Sequence, residues 1–211
     1  MWKIQVVKND PTYPFVVVDN WYSPEEEKAV WKELDFVSSQ PREKTERAET
    51  TVVAKKNGIP LSHAFRYYID EWYSEQHIAR STILSSTYKL REKELHKHIN
   101  QCLPYSRYYT STNRESTLLS YYENKDYYKP HHDTFAWTIL VWMVREPRQF
   151  DGGDFTLNDI DTEVKLKSNR AVLFPCCYEH SVSPIKFKNQ PKEIGYGRYT
   201  ITHFLYSVPS G

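Results

Sequence analysis

Two residues near the middle of the chain, His131 and Asp133, have the types and the spacing of metal ligands. In an extended strand successive side chains point to opposite faces, so an i, i+2 pair aims an imidazole nitrogen and a carboxylate oxygen into one space. A third ligand must come from elsewhere, and His180, shortly after the apolar run 171–175, is available. Two imidazoles and one carboxylate on one face of an ion leave the opposite positions open. That arrangement suits non-haem Fe(II) and lets it take a cosubstrate and dioxygen. The triplet alone is equally a surface histidine beside a turn-forming aspartate, since eight histidines in 211 residues make a chance H-x-D ordinary.

The elements that position these groups differ along the chain. Residues 14–22, PFVVVDNWY, predict a β-branched strand that ends in turn residues. Ser23 is a good N-cap, Pro24 fits the first helical turn and Glu26 completes a capping box. The helix that follows directs Ala29, Val30, Leu34 and Trp31 to the core. Residues 38–58 mix charges of both signs around an Asn57-Gly58 turn signal and read as loop or edge structure. The aromatic segment 61–80, with Phe65, Tyr67, Tyr68, Ile69, Trp72 and Tyr73, reads as a packed helix or a lid.

Residues 86–102 predict a helix with Leu95, Ile99 and Cys102 on one side, ended by Pro104. His96 and His98 lie two apart on it, do not face each other, and read as surface residues. After Pro104 short β-rich runs separated by turns suggest a sandwich or barrel. On the strand from Thr117, the residues Leu118, Ser120 and Tyr122 share a face. From His131 the same period puts Asp133, Phe135, Trp137, Ile139, Val141 and Met143 on one face. Thr134, Thr138, Leu140 and Trp142 fall on the other, and His132 points away from His131.

The length of 211 residues and mass of 25.1 kDa suit one domain over 1–211, with a strand and helices in 1–104 and a catalytic β-core in 105–208. A net charge of +1 provides no overall field to draw the chain to nucleic acid. Cys102, Cys176 and Cys177 form no disulfide framework and read as reduced thiols. The start of the chain has no apolar leader, and no stretch approaches the roughly 20 apolar residues of a membrane span, so a cytoplasmic protein is expected. The 17 tyrosines and 6 tryptophans are either packing at strand edges or a groove that grips an extended peptide.

Several features follow one another in order. Tyr128, Pro130, His131 and Asp133 form a Tyr-x-Pro-His-x-Asp block, and an apolar strand begins at Thr138. Gly152-Gly153-Asp154-Phe155 comes next, then Phe174-Pro175 before His180, and finally Gly197-Arg198-Tyr199-Thr200. This order, over roughly residues 115 to 207, resembles the prolyl 4-hydroxylase branch of the Fe(II)/2-oxoglutarate-dependent dioxygenases. The resemblance implies an α+β fold whose core is a double-stranded β-helix, of the jelly-roll or cupin kind, supported by N-terminal helices.

The resemblance also implies a site. Fe(II) would sit on His131, Asp133 and His180, with no catalytic side chain beyond these ligands. Arg198, Thr200 and Tyr122 would hold the far carboxylate of 2-oxoglutarate, with Tyr121 competing for the last place. A planar guanidinium suits that task because it grips a carboxylate with two hydrogen bonds and keeps its charge. Tyr128 and Trp142 are the candidate substrate contacts, and Glu179 is a candidate outer partner of His180. The implied reaction is hydroxylation by dioxygen coupled to decarboxylation of 2-oxoglutarate, with ascorbate as reductant. A prolyl residue in a protein or peptide is the leading substrate, followed by a free amino acid or another side chain.

Three departures bear on that expectation. Prolyl 4-hydroxylases often carry Lys where this chain has Arg198. The step from His180 to Arg198 is 18 residues, which marks 186–195 as an insertion at the pocket mouth. The short segment between Asp133 and Thr138 lacks an Arg that collagen-type and hypoxia-type enzymes place there. Two other readings stand beside the first. A nucleic-acid demethylase resembling AlkB would carry a second Arg at the position of Phe204, and a peptide-binding module on an oxygenase scaffold would bind without turnover.

Overall fold

The computed structural model describes residues 1–40, 53–73, 75–189 and 194–209. The N-terminal part comprises β1 (Lys3–Val7), β2 (Phe15–Asp19), α1 (Pro24–Ser39) and the short strands β3 (Lys55–Lys56), β4 (Ile59–Pro60), β5 (Ser62–His63) and β6 (Phe65–Tyr68). Helices α2 (Thr82–Ser85), α3 (Lys93–Ile99) and α4 (Ser106–Thr110) follow. The remaining strands are β7 (Arg114–Tyr122), β8 (Tyr127–His131), β9 (Trp137–Val144), β10 (Phe150–Asp151), β11 (Phe155–Leu157), β12 (Thr162–Val164), β13 (Arg170–Pro175), β14 (His180–Val182), β15 (Lys186–Phe187) and β16 (Arg198–Tyr206).

Two antiparallel sheets make the core. The larger runs β1-β2-β13-β9-β16-β7-β6 and the smaller β12-β11-β14-β8-β5. Period-two alternation splits the larger sheet into two faces. Ile139, Val141, Met143, Tyr199 and Ile201 join Val30, Leu34, Val37, Leu95 and Ile99 of the helices in one apolar cluster. Leu140, Trp142, Val144 and Tyr122 face the smaller sheet, where Phe155, Leu157 and Val182 complete a second. Helices on one face and a second sheet on the other give the expected α+β jelly-roll. No helix among the described residues is long and apolar enough to cross a membrane.

Local chemistry explains the helix that covers the sheet. Ser23 accepts a hydrogen bond from the Glu26 amide at 3.2 Å, and the Glu26 carboxylate accepts one from the Ser23 amide at 2.8 Å. This capping box satisfies two of the helix's free donors. Val30 and Leu34 then turn inward, while Ala29 and Trp31 are only half-buried.

Elsewhere tertiary contacts override the sequence pattern. Segment 61–80 is neither one helix nor a lid: Phe65–Tyr68 is an edge strand on β7, with 3-10 turns after it. Its aromatic side chains pack well on a pleated surface, which favours strand. The 86–102 helix is broken at Glu92, whose extended backbone separates a 3-10 turn from α3, and a short α4 appears after Pro104. Asn57 and Gly58 both adopt positive φ between β3 and β4, as their turn signal requires. Residues 41–52 of the expected loop, and 190–193 of the expected insertion, lie outside the described residues.

Candidate functional site

His131 is the last residue of β8 and His180 the first of β14, and the two stand opposite each other in the antiparallel ladder. Both imidazoles are buried, 5% and 4% exposed. His131 Nδ1 lies 2.9 Å from the Lys129 carbonyl and His180 Nδ1 3.1 Å from the Tyr178 carbonyl. A carbonyl only accepts, so each Nδ1 carries the proton and each Nε2 keeps its lone pair. Burial, with the His180 imidazole alongside, pushes the His131 pKa down to about 2, so its ring stays neutral.

Asp133 arrives from the turn between the sheets. Its oxygens lie 3.7 Å from His131 Nε2 and 3.5 Å from His180 Nε2. One ligand atom from each of the three residues falls within 4.8 Å of the others, a group that could hold a metal ion. The Thr138 hydroxyl donates to Asp133 Oδ2 at 2.6 Å, and the Asp133 amide donates to the Cys176 carbonyl at 3.2 Å. Orienting contacts of this kind aim a ligand before a metal arrives.

The continuous strand expected from His131 to Met143 does not form. β8 ends at His131 in the smaller sheet and β9 begins at Trp137 in the larger, with the chain crossing between them. The period of two is therefore reset, and Thr138, Leu140 and Trp142 share the inner side with Asp133. His132 is exposed at the cavity mouth. The expected Glu179 partnership is also corrected. The Glu179 backbone bonds to Asp159 and Asn158, and the Tyr178 carbonyl holds His180 instead.

A cavity of about 160 Å³ opens between the sheets, lined by this group and by Tyr122, Tyr128, Arg198 and Thr200. Arg198 is completely buried. Its Nη1 donates to Thr200 Oγ1 at 2.7 Å, while Nε and Nη2 have no partner among the described residues. Burial lowers its pKa only to about 10, so a full cation waits there with two unused donors. One glycine makes room for it: a Cβ on Gly153, at φ +70°, would meet Arg198 Cδ at 3.2 Å. A Cβ on Gly197 would instead stand 2.1 Å from the Tyr122 carbonyl, so that glycine admits the neighbouring β7 backbone.

Tyr122 lies beside the guanidinium, its ring centroid 5.3 Å from Cζ. Tyr121 faces the helices, where its hydroxyl accepts from the Gly195 and Gly197 amides. Tyr128 stacks on His131 with centroids 3.4 Å apart. Trp142 is fully buried behind Arg198, 5.4 Å from Cζ, and does not line this cavity, unlike Tyr128. Phe204, at the rim, stacks on Phe135 at 4.5 Å. Sequence reasoning missed Thr138 as the partner of Asp133, and it missed Arg66, which reaches the cavity from β6. A charged residue alternating with aromatics in 65–68 was the available signal.

No curated protein matches the chain. Its fold is similar to a Pseudomonas putida prolyl-4-hydroxylase, at 15% identity and TM-score 0.57, over 99% of this chain and 93% of that one. It is also similar to the viral collagen prolyl hydroxylase of Paramecium bursaria Chlorella virus-1, at 12% identity and TM-score 0.54, over 92% and 96%. OsALKBH1 is similar to the same degree, at 11% identity and TM-score 0.56, over 97% and 100%. At these identities the likeness is one of fold. The family model of the 2OG-Fe(II) oxygenase superfamily matches residues 116–206, the stretch from β7 to the end of β16 that carries every group of the cavity described above except Arg66. Over residues 116–206 the chain is similar to the 2OG-Fe(II) oxygenase superfamily.

Proposed function

We propose that this protein is a 2-oxoglutarate-dependent dioxygenase that hydroxylates a prolyl unit of a peptide or protein. The observation that carries the reading is the pair of unused donors on Arg198, in the same cavity as the His131, Asp133 and His180 ligand atoms. A buried cation without a partner costs stability unless a ligand completes it. A dicarboxylic cosubstrate reaching from a metal to that guanidinium does so.

His131, Asp133 and His180 would hold Fe(II), two neutral nitrogens and one anion leaving positions open. Arg198 would bind the far carboxylate through Nε and Nη2, with Thr200 fixing Nη1 and Tyr122 flanking the site. When bound, Fe(II) and dioxygen supply the oxidation that couples decarboxylation of 2-oxoglutarate to hydroxylation of a C–H bond. The chain contributes position and a dry wall, with Leu118, Leu140 and Val182 lining the cavity. Tyr128, stacked on the His131 ring and lining the cavity, is the candidate substrate contact. The prolyl assignment is supported by the fold likeness to two prolyl hydroxylases and by the aromatic lining.

The test is succinate formation from 2-oxoglutarate with Fe(II) and ascorbate, with and without a proline-rich peptide. Turnover raised by the peptide and abolished in Asp133→Ala is the expected result. Turnover indifferent to the peptide keeps the oxygenase and removes internal prolyl residues as its substrate. No turnover together with no metal uptake overturns the whole reading.

A further inference from the structure

Arg66 has no role in the reading above. It stands on β6 opposite Ser120 of β7, which is itself opposite Thr200 of β16, and all three line the cavity. It is only 6% exposed. Its Cζ lies over the Tyr128 ring, 4.3 Å from the centroid. His131 already covers one face of that ring at 3.4 Å, which leaves the opposite face for the guanidinium. Arg66 is therefore one aromatic ring away from the metal-ligand group. Nη2 donates to Ser62 Oγ at 2.8 Å, and Nε is buried with no partner among the described residues.

Stacking on Tyr128, the bond to Ser62 and the Tyr122 and Tyr128 hydroxyls, which hold its charge, account for much of this side chain. They leave the buried Nε–H without a partner among the described residues and a permanent positive charge at the cavity wall. The cavity thus holds two incomplete cations, Arg198 and Arg66, around one ligand group. In the proposed function 2-oxoglutarate completes Arg198 with its far carboxylate and turns its 2-oxo acid end to the metal. Arg66 keeps Nε open for an anion of the second reactant.

Resting on that reading, we propose that Arg66 binds the α-carboxylate of the substrate. This narrows the proposed substrate to a residue with a free carboxyl end, the last residue of a peptide or, in place of a peptide, the free amino acid, and it removes internal residues. The single-ring separation keeps that carboxylate close to the carbon that is oxidised, and the small cavity suits a compact reactant.

The test uses the full chain with Mn(II) and 2-oxoglutarate in the absence of oxygen, and reads ligand affinity by calorimetry. The probes are L-proline and a panel of other L-amino acids and their N-acetyl forms, each against its primary carboxamide. On the wild type at least one free acid should bind about tenfold or more tightly than its carboxamide, as a charge-assisted hydrogen bond to a buried cation requires. In Arg66→Gln that preference should fall below about twofold, with 2-oxoglutarate affinity unchanged within about threefold. Tighter binding of free amino acids than of N-acetyl forms assigns a free amino acid, and the reverse assigns a chain end.

Carboxamides that bind as well as acids, or no acid that binds, overturn the proposal on the wild type alone, whatever the variant's folding. A tenfold loss of 2-oxoglutarate affinity in Arg66→Gln overturns it by giving Arg66 to the cosubstrate. If the Mn(II)-loaded wild type takes up no 2-oxoglutarate, the underlying reading falls and this one with it.

Discussion

At the His131 end of the cavity each ligand side chain is held by another group of the chain, whereas at the Arg198 end two buried N–H groups are held by nothing among the described residues. The first end is finished before any ligand arrives. Backbone carbonyls set both imidazoles, and Thr138 sets the carboxylate. The second end is finished only by an anion. A protein tolerates such an unpaired charge where function needs it, because stability elsewhere offsets it. Under the proposed function the two ends are complementary: the preorganised end would fix where a metal sits, and the incomplete end would select the cosubstrate that closes the site.

The largest expected effect breaks the finished end. Asp133→Ala removes the only anionic ligand of the group, so Fe(II) or Mn(II) uptake and succinate formation should both be lost. Retained metal binding, read by metal analysis of the purified protein, would deny the group its role.

The unfinished end should respond in two directions at once. Arg198→Met should weaken 2-oxoglutarate binding by about 2–4 kcal/mol, and it should raise the stability of the ligand-free protein by about 1–3 kcal/mol. Thermal melts with and without 2-oxoglutarate check both signs, and a variant that lost stability without ligand would refute the idea of a strained, waiting cation.

A third prediction sets Arg198 against another buried base on the same strand. His203 lies on the opposite side of β16, 1% exposed, with Nδ1 3.0 Å from the Thr117 hydroxyl. Burial pushes its pKa down to about 4 from the ordinary 6.5, so unlike Arg198 it gives up its charge. The unfolded chain binds this proton more readily, so its contribution is intact above pH 6.5 and is lost as pH falls towards 4. At pH 5 the loss is about 2 kcal/mol. Urea unfolding at pH 7 and pH 5 should show that difference in the wild type, reduced in His203→Gln.

The smallest effect loosens the finished end without removing a ligand. Thr138→Val keeps the shape but deletes the donor to Asp133, and metal affinity should fall about tenfold. An unchanged affinity would mean that the metal end does not depend on its orienting bonds.

The site was legible in the chain to a specific depth. His131, Asp133, His180, Arg198 and Thr200 were readable as candidates because together they follow the motif order that resembles the prolyl 4-hydroxylase branch, although a lone H-x-D is ordinary among eight histidines. Tyr122 was preferred to Tyr121 through the resemblance, which places a Tyr nine residues before His131, and parity added only that it shares a face with Leu118 and Ser120. Parity failed after His131 because it assumes an unbroken strand, and the chain there leaves one sheet for the other. Trp142 and Glu179 lie elsewhere than expected for a related reason, as spacing alone does not show what stands in front of a side chain or which backbone carbonyl lies nearer.

By itself the sequence determined the helix cap at Ser23, the Asn57-Gly58 turn, the apolar strands and the set of residues able to bind a metal and a carboxylate. These are local matters of side-chain type, backbone preference and period. Only the tertiary structure decided that His131 and His180 stand opposite each other, that Thr138 turns to Asp133, and that Arg66 from an edge strand enters the same cavity as Arg198. Those relations depend on strand pairing between segments far apart in the chain, and pairing is settled by the burial of whole faces rather than by any local signal.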